Sequence, residues 1–156
     1  MTSSCFLPMI SRKRSSPRAE PGQGSAMATG HVIRLAGPWE CQLGGVWHQI
    51  KLPGEIPAAA IAAQSAGRIA WRRRFHSPTR LELLQQVYLA LDASWGNPDQ
   101  VLLDGAVLEP DAALRWVVPL QYLRETSTHQ LEIRLAAAQV QLATEFAAPV
   151  LILEEQ

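Results

Sequence analysis

The segment Leu131-Glu132-Ile133-Arg134-Leu135 alternates strictly between apolar and charged side chains. A period of two places one set of side chains against a core and the other in water, which is the pattern of a half-buried β-strand. The same period recurs over residues 87–91 and over residues 71–75, where the aromatic side chains of Trp71 and Phe75 fall on one face. We therefore predict that the chain is built mainly of strands from residue 31 onward.

Seven further strands are predicted, and turn-forming residues separate them. The additional strands cover residues 31–35, 39–43, 46–52, 80–84, 100–103, 114–118 and 148–154. The predicted turns are Gly37-Pro38, Gly44-Gly45, Pro53-Gly54, Gly96-Asn97-Pro98 and Asp104-Gly105. Many short strands with frequent turns are typical of an all-β fold, either a sandwich or a barrel.

One segment departs from the period of two. Residues 57–66 are rich in alanine, with Pro57 in the first turn and Gly67 directly after the last. Alanine favours a helix, proline suits its first turn and glycine suits its end. We predict a single short helix here, which crosses from one strand to the next.

Composition excludes several classes of protein. The 156 residues contain 14 Lys+Arg and 14 Asp+Glu, so the net charge gives no reason to expect nucleic acid or an anionic membrane as a partner. No run of 18 apolar residues is present, so the sequence predicts no helix that spans a bilayer. The two cysteines, Cys5 and Cys41, form neither a disulfide framework nor a paired zinc motif. We expect a globular protein of the cytoplasm with no nucleic-acid or membrane partner.

The first 30 residues differ from the rest of the chain. They hold four basic residues, one acidic residue and few large apolar side chains. Such a segment buries too little surface to offset the entropy of ordering it, so residues 1–30 are predicted to be a disordered tail. An equally simple interpretation is that translation begins at Met27. Residues 31–156 are predicted to form one β-sandwich domain.

The order of the motifs carries a resemblance to a known family. The succession consists of Leu35-Ala36-Gly37-Pro38-Trp39, Trp47-His48-Gln49-Ile50-Lys51-Leu52-Pro53, residues 67–75, residues 87–92, Val101-Leu102-Leu103-Asp104-Gly105 and residues 129–133. It resembles the N-terminal sugar-binding domain of family 2 glycoside hydrolases, the β-galactosidase and β-glucuronidase group. The resemblance covers residues 32–136 and extends to residue 154 if the last strand is included.

The resemblance implies a jelly-roll β-sandwich of the galactose-binding-like kind. Asp104-Gly105 stands where the family commonly has Asn-Gly, and both pairs suit a tight turn. The run Ala106 to Ala113 replaces the glycine-rich turn that the family usually has next. In the family, the catalytic carboxylates lie on a separate barrel domain, and this chain ends before one could begin. The resemblance therefore assigns no catalytic residue.

The sequence motifs, considered without the resemblance, also indicate no catalytic site. The four histidines at positions 31, 48, 76 and 129 show no metal-ligand spacing, and each is predicted to be a surface or internally satisfied residue. No nucleophile elbow, P-loop or dinucleotide motif is present. The acidic residues lie around predicted turns, as solvated acids do: Asp92, Asp99, Asp104, Glu109 and Asp111. We expect no catalytic residue, no metal site and no cofactor, and hence no enzyme.

The tryptophans are the candidates for sugar binding, because the flat C–H faces of sugars pack on aromatic rings. Trp39, Trp47 and Trp71 lie within strand patterns and are predicted to be core. Trp95 lies in the polar loop 92–99, where it either stacks on a ligand or folds back as a lid on the sandwich edge. Trp116 fits either face of its strand. The candidate ligand-binding residues are Trp95, Asn97, Asp99 and Trp116.

The run Arg72-Arg73-Arg74 has two interpretations. Guanidinium groups bind carboxylates through paired hydrogen bonds, so the run fits a carboxylated sugar. Alternatively, one or two of these arginines form ion pairs with acids such as Glu82 or Asp92, while the rest are solvated.

Two functions follow. The first is a noncatalytic carbohydrate-binding-like module that works alone or beside a separately encoded glycoside hydrolase. The second is a structural or protein-interaction sandwich with no sugar ligand. A concave exposed sheet face with an aromatic ring and several polar groups favours the first function, whereas a flat apolar patch favours the second.

Overall fold

The computed structural model describes residues 30–56, 67–136 and 145–156. The predicted helix over residues 57–66 lies outside these ranges, and so does the predicted tail apart from Gly30. Strands dominate the described residues, and they form sheets with one core between them. The predicted all-β sandwich is confirmed.

The strands agree closely with the period of two. In chain order they are β1 (His31–Arg34), β2 (Gly37–Leu43), β3 (Val46–Leu52), β4 (Gly54–Glu55), β5 (Arg68–His76), β6 (Leu84–Ala90), β7 (Gln100–Leu103), β8 (Ala106–Val107), β9 (Trp116–Val118), β10 (Thr128–Ala136), β11 (Glu145–Phe146) and β12 (Val150–Glu155). A short helix, α1 (Leu120–Glu125), precedes β10, and single 3-10 turns occupy Leu81–Leu83 and Ala93–Trp95.

Several local predictions differ from the structure. Gly37-Pro38, predicted as a turn, begins strand β2, and the strand predicted over residues 114–118 begins only at Trp116, since Leu114 has a left-handed backbone with φ 56°. The strand predicted over residues 80–84 is a 3-10 turn up to Leu83, because Arg80 adopts a left-handed backbone with φ 58° and extended structure begins only at Leu84. The helix α1 was not predicted. It is six residues long and buries only Leu123, so its apolar period is too short to read from the sequence.

The strands form two main antiparallel sheets. The six-stranded sheet has the order β3-β2-β5-β10-β7-β8, and the four-stranded sheet has the order β1-β12-β6-β9. A small third sheet pairs β11 with β4. The longest pairing joins all nine residues of β5 to those of β10, with Trp71 opposite Ile133. This pair of strands forms the centre of the six-stranded sheet.

Alternation along the strands builds the core. On β10, Leu131, Ile133 and Leu135 are buried, whereas Glu132 and Arg134 lie on the outer face. On the four-stranded sheet, the buried side chains of β6 and β12 face the same core. Each strand therefore contributes one apolar face inward and one polar or mixed face outward.

An aromatic cluster occupies the interior. Trp39, Trp71, Trp95 and Phe146 are each at most 1% exposed. The ring centroid of Trp95 lies 6.0 Å from that of Trp39, 5.2 Å from that of Trp71 and 5.0 Å from that of Phe146. These separations and the tilted or edge-on ring planes are those that aromatic pairs prefer. The cluster ties β2, β5, β11 and the 93–95 turn together.

The Asp104-Gly105 turn has the predicted geometry. It joins β7 to β8, with φ 50° at Asp104 and φ 85° at Gly105. Positive φ at both central residues gives the turn a twist that matches the flanking strands. Aspartate and glycine adopt this conformation more readily than most residues do.

Cys41 is fully buried on β2, and burial raises the pKa of its thiol to about 12. At about pH 8 only about one thiol in ten thousand would be ionised, and the thiolate is the reactive form. In a Cys5→Ser variant, we expect Cys41 to resist alkylation by iodoacetamide in the folded protein and to react fully in urea. Mass spectrometry of the two samples measures this. Rapid labelling without denaturant would contradict the buried position.

Candidate functional site

Trp95 lies in the core rather than on the surface. The Asp92 carboxylate accepts a hydrogen bond from the Ser94 amide and caps the 3-10 turn that carries Trp95. The indole Nε1 donates a hydrogen bond to the Ala147 carbonyl at 2.8 Å, and the side chain is 1% exposed. Two positions were predicted for Trp95, and the structure shows the one in which the ring folds back and covers the edge of the sandwich. Its ring presents no face on which a sugar could stack.

The other predicted binding residues do not form one surface with it. Asn97 is exposed in the loop after the 3-10 turn, and Asp99 forms an ion pair with Arg68 at 3.2 Å. Trp116 is 8% exposed and faces the core from β9, which belongs to the four-stranded sheet. Sugar contact through Asn97 and Asp99 stays a prediction.

Trp47 is not a core residue, contrary to prediction. It lies half-buried on the outer face of β3, and the Arg72 guanidinium carbon sits 3.8 Å from the centroid of its ring. A cation over an indole face is attracted by the negative face of the π-system. The alternation pattern alone did not reveal which face of β3 points inward, because this strand buries only Ile50 and Leu52.

A polar groove crosses the outer face of the six-stranded sheet. We call it the arginine groove. Its volume is about 470 Å³, and strands β2, β3, β5 and β10 contribute its walls. Trp47 adjoins it through its contact with Arg72. The lining residues are Pro38, Glu40, Gln49, Arg72, Arg73, Arg74 and Gln130.

An ion pair stands at the centre of the groove. Arg72 Nε donates to Glu40 Oε2 at 2.6 Å, and this hydrogen bond is the main reason why the pKa of Glu40 lies below its usual value. The predicted ion pair with one of these arginines is present, but its acid is Glu40 and not Glu82 or Asp92, which were given as examples. Strand β2 lies beside β5 and places Glu40 opposite Arg72, although the two residues are 32 positions apart in the sequence.

The other two arginines differ from Arg72. Arg73 donates a hydrogen bond to the Ala36 carbonyl, and partial burial lowers the pKa of its guanidinium. The Arg74 side chain is exposed, and within the described part of the chain it has no hydrogen bond or ion pair, although its charge also helps to lower the pKa of Glu40. Arg72 and Arg74 project from β5 into the groove against the single lining carboxylate of Glu40, and Glu132 beside them is paired with Arg134. The groove is therefore locally positive, although residues 31–156 hold 10 basic and 13 acidic residues.

A second polar cluster was missed by the sequence reasoning. His129 is 1% exposed; its Nδ1 lies 2.6 Å from Asp104 Oδ2 and its Nε2 lies 2.7 Å from Ser77 Oγ. Asp104 also accepts a hydrogen bond from the Gln130 amide. Asp104 is therefore not simply a solvated turn acid, and His129 is an internally satisfied histidine.

Asp104, His129 and Ser77 are linked in the order of the Asp-His-Ser triad of serine hydrolases. The surroundings of the serine, however, differ from those in such an enzyme. Ser77 Oγ also lies 2.8 Å from the Leu123 carbonyl oxygen and 2.9 Å from that of Thr126. The negative ends of two carbonyl dipoles would repel the oxyanion that acyl transfer forms beside the nucleophile. The cluster instead links the end of β5, the segment after α1 and the β7–β8 turn.

Another cavity offers a ligand fewer polar groups than the arginine groove does. A cavity of about 420 Å³ lies at one end of the four-stranded sheet, with Arg34 and Asp92 as its charged groups among mainly apolar residues. Within residues 30–56, 67–136 and 145–156, no group of three or more metal-ligating side chains occurs. No helix in those ranges is long and apolar enough to cross a bilayer.

Comparison with known proteins gives structural neighbours but no sequence relatives. No protein-family model matches the sequence, and no curated protein matches it. The β-D-glucuronidase of Dictyoglomus thermophilum matches 81% of this chain with a TM-score of 0.58 and 11% identity. A β-glucuronidase of an uncultured Clostridium species and that of Ruminococcus gnavus each match 81% at 9% identity, with TM-scores of 0.55 and 0.54.

This likeness concerns the fold. The match covers 28% of the Dictyoglomus enzyme and 29% of each of the other two, so the chain spans less than a third of their length. Identities of 9–11% are too low to transfer any residue's role. The described sandwich is therefore a fold that is also found within β-glucuronidases.

We expect His129→Gln to lower the free energy of unfolding by about 1–3 kcal/mol, because a buried network loses hydrogen bonds on both sides. His48 is exposed on β3, and His48→Gln serves as the control with an expected change within about 0.5 kcal/mol. Urea unfolding followed by tryptophan fluorescence measures both variants. Equal stabilities would show that the cluster contributes nothing to the fold.

Since the Arg72 hydrogen bond lowers the pKa of Glu40, its removal should raise that pKa towards the usual value of 4.5. A lowered pKa stabilises the folded state above the unfolded value, and this contribution disappears as the pH falls through the folded value. In Arg72→Gln, the free energy of unfolding should therefore fall less on acidification, because protonation of Glu40 costs the folded state less. Carbon-13 NMR titration of the Glu40 carboxyl tests it, with Arg134→Gln, which removes the partner of Glu132, as the control. An unchanged Glu40 titration in Arg72→Gln would contradict the assignment.

Proposed function

We propose that this chain is a noncatalytic carbohydrate-binding module accessory to a glycoside hydrolase, and that the arginine groove is its ligand surface. The observation that carries the proposal is the combination of polar groups in that groove. Gln49 and Gln130 offer amide donors and acceptors, and Arg72, Arg74 and Glu40 offer charged ones. Sugar hydroxyls need such planar polar partners, and a concave surface lets several act on one ring.

The groove is better suited to binding than to hydrolysis. Glycosidases usually place two carboxyl groups about 5–9.5 Å apart around the scissile bond. Glu40 is the one carboxylate among the described residues that line this groove, and Arg72 holds it in an ion pair. Glu132 on β10 lies opposite Arg72 on the other side, and Arg134 holds it in an ion pair as well. Carboxylates that are ionised and paired in this way supply no general acid.

The fold supports an accessory role. Solved β-glucuronidases contain a sandwich of this shape within chains more than three times as long as the matched region. By that analogy, the catalytic residues belong to a different polypeptide region, and this domain contributes recognition or positioning.

An alternative function, as a structural or protein-interaction sandwich, has one observation in its favour. On the outer face of the four-stranded sheet, an apolar row crosses all four strands in register. Val32 is 52% exposed and the other three members are half-buried, with the Arg115 guanidinium carbon 4.0 Å from the centroid of the Tyr88 ring. An apolar sheet face of this kind is typical of a contact with another protein. The row consists of Val32, Ile152, Tyr88 and Val117.

We expect a panel of mono- and oligosaccharides to bind with dissociation constants of about a millimolar, because a shallow groove buries little of a small ligand. Titration of the ¹⁵N-labelled protein by NMR should shift the backbone amides of Gln49, Arg72 and Gln130. Gln49→Ala combined with Gln130→Ala should abolish the shifts, while Gln121→Ala on the exposed face of α1 should leave them unchanged.

Three outcomes would change the proposal. A silent panel would favour the interaction domain, and shifts confined to residues 92–99 would move the site to the loop that the sequence predicted. Hydrolysis of aryl glucuronides or galactosides by the purified chain would overturn a noncatalytic role.

A further inference from the structure

We propose that the arginine groove selects an anionic sugar, and specifically one that carries a carboxylate. This inference rests on the proposed function and specifies its ligand class. It is carried by the arrangement of Arg72 and Arg74 on one face of β5, next to Gln49 and Gln130.

Arg74 is the group that would meet the carboxylate. It lies two residues after Arg72 on the same strand, so both side chains project from the outer face. Gln130 on β10 stands directly opposite Arg74. The Arg74 side chain is exposed and forms no hydrogen bond or ion pair with the described residues, although its charge acts on nearby Glu40. Its five N–H donors are therefore available to a ligand.

Arg72 is held in place from two sides. Its Nε donates to Glu40, and its guanidinium lies on the Trp47 ring, with 3.8 Å between the guanidinium carbon and the ring centroid. These contacts use Nε and one face of the guanidinium. Among the described residues, no hydrogen bond engages its two Nη nitrogens. A side chain ordered before binding loses less entropy when a ligand arrives.

The donor set distinguishes a carboxylate from other anions. A planar guanidinium matches the two oxygens of a carboxylate through a pair of parallel hydrogen bonds. Glu40 contributes a negative charge to the same groove, and this charge opposes a doubly charged phosphate more than a singly charged carboxylate. Gln49 and Gln130 remain to bond the hydroxyl groups beside the carboxylate.

The test compares sugars that differ only at C6: glucuronic acid with glucose, and galacturonic acid with galactose. We expect the acid of each pair to bind at least about tenfold more tightly in a ¹⁵N NMR titration, since one charge-assisted pair of hydrogen bonds is lost in the neutral sugar. Arg74→Gln should weaken acid binding about tenfold and weaken neutral binding much less, so that the preference for the acid is largely lost. Arg34→Gln is the matched control, because it removes the same charge from an exposed position on the four-stranded sheet.

The outcomes separate this inference from the proposed function. Equal binding of acid and neutral sugars would overturn the carboxylate preference and leave the carbohydrate-binding role intact. Binding of neither class would overturn both. Binding of a poly-glutamate peptide without any uronic acid would also overturn both and identify an acidic protein segment as the partner. The spectra of the free variants show whether each one is folded, so loss of binding is not confused with unfolding.

Discussion

The packing of four aromatic side chains between the sheets is the constraint on which the rest of the structure depends. Trp71 on β5 touches both Trp95 and Phe146, and Trp95 in turn lies against Trp39. Burying such large rings contributes more to folding than most other core contacts do. Trp95 therefore belongs to the core, and it anchors the polar loop around it to the sandwich.

The inward direction of Trp71 also decides what the outer surface presents. Since side chains alternate along a strand, a buried Trp71 turns Arg72 and Arg74 outward. Strand β2 follows the same rule, with Trp39 and Cys41 buried and Glu40 on the outer face. The arginine groove is thus the reverse side of the aromatic core, and a slip of one residue in either strand would destroy both together.

The His129 cluster and the arginine groove differ in what they do. His129, Asp104 and Ser77 satisfy one another in a largely closed site and hold three chain segments together. In the arginine groove, by contrast, Arg74 is exposed and retains unused donors. A cluster whose donors and acceptors are already paired has few hydrogen bonds left to form with a ligand. Unpaired donors in a concave surface, by contrast, are available to one.

The sequence by itself determined the all-β class, the approximate positions of the longer strands and the Asp104-Gly105 turn, because periodicity and turn propensity act over a few neighbouring residues. It did not determine which strands become neighbours. The partner of Arg72 is Glu40, and the tryptophan on the outer face is the half-buried Trp47 rather than Trp95. Both facts depend on pairing between distant segments and on which face of a strand meets the core. Only the tertiary structure settles them, since burial is a property of the packed sheets and not of a local pattern.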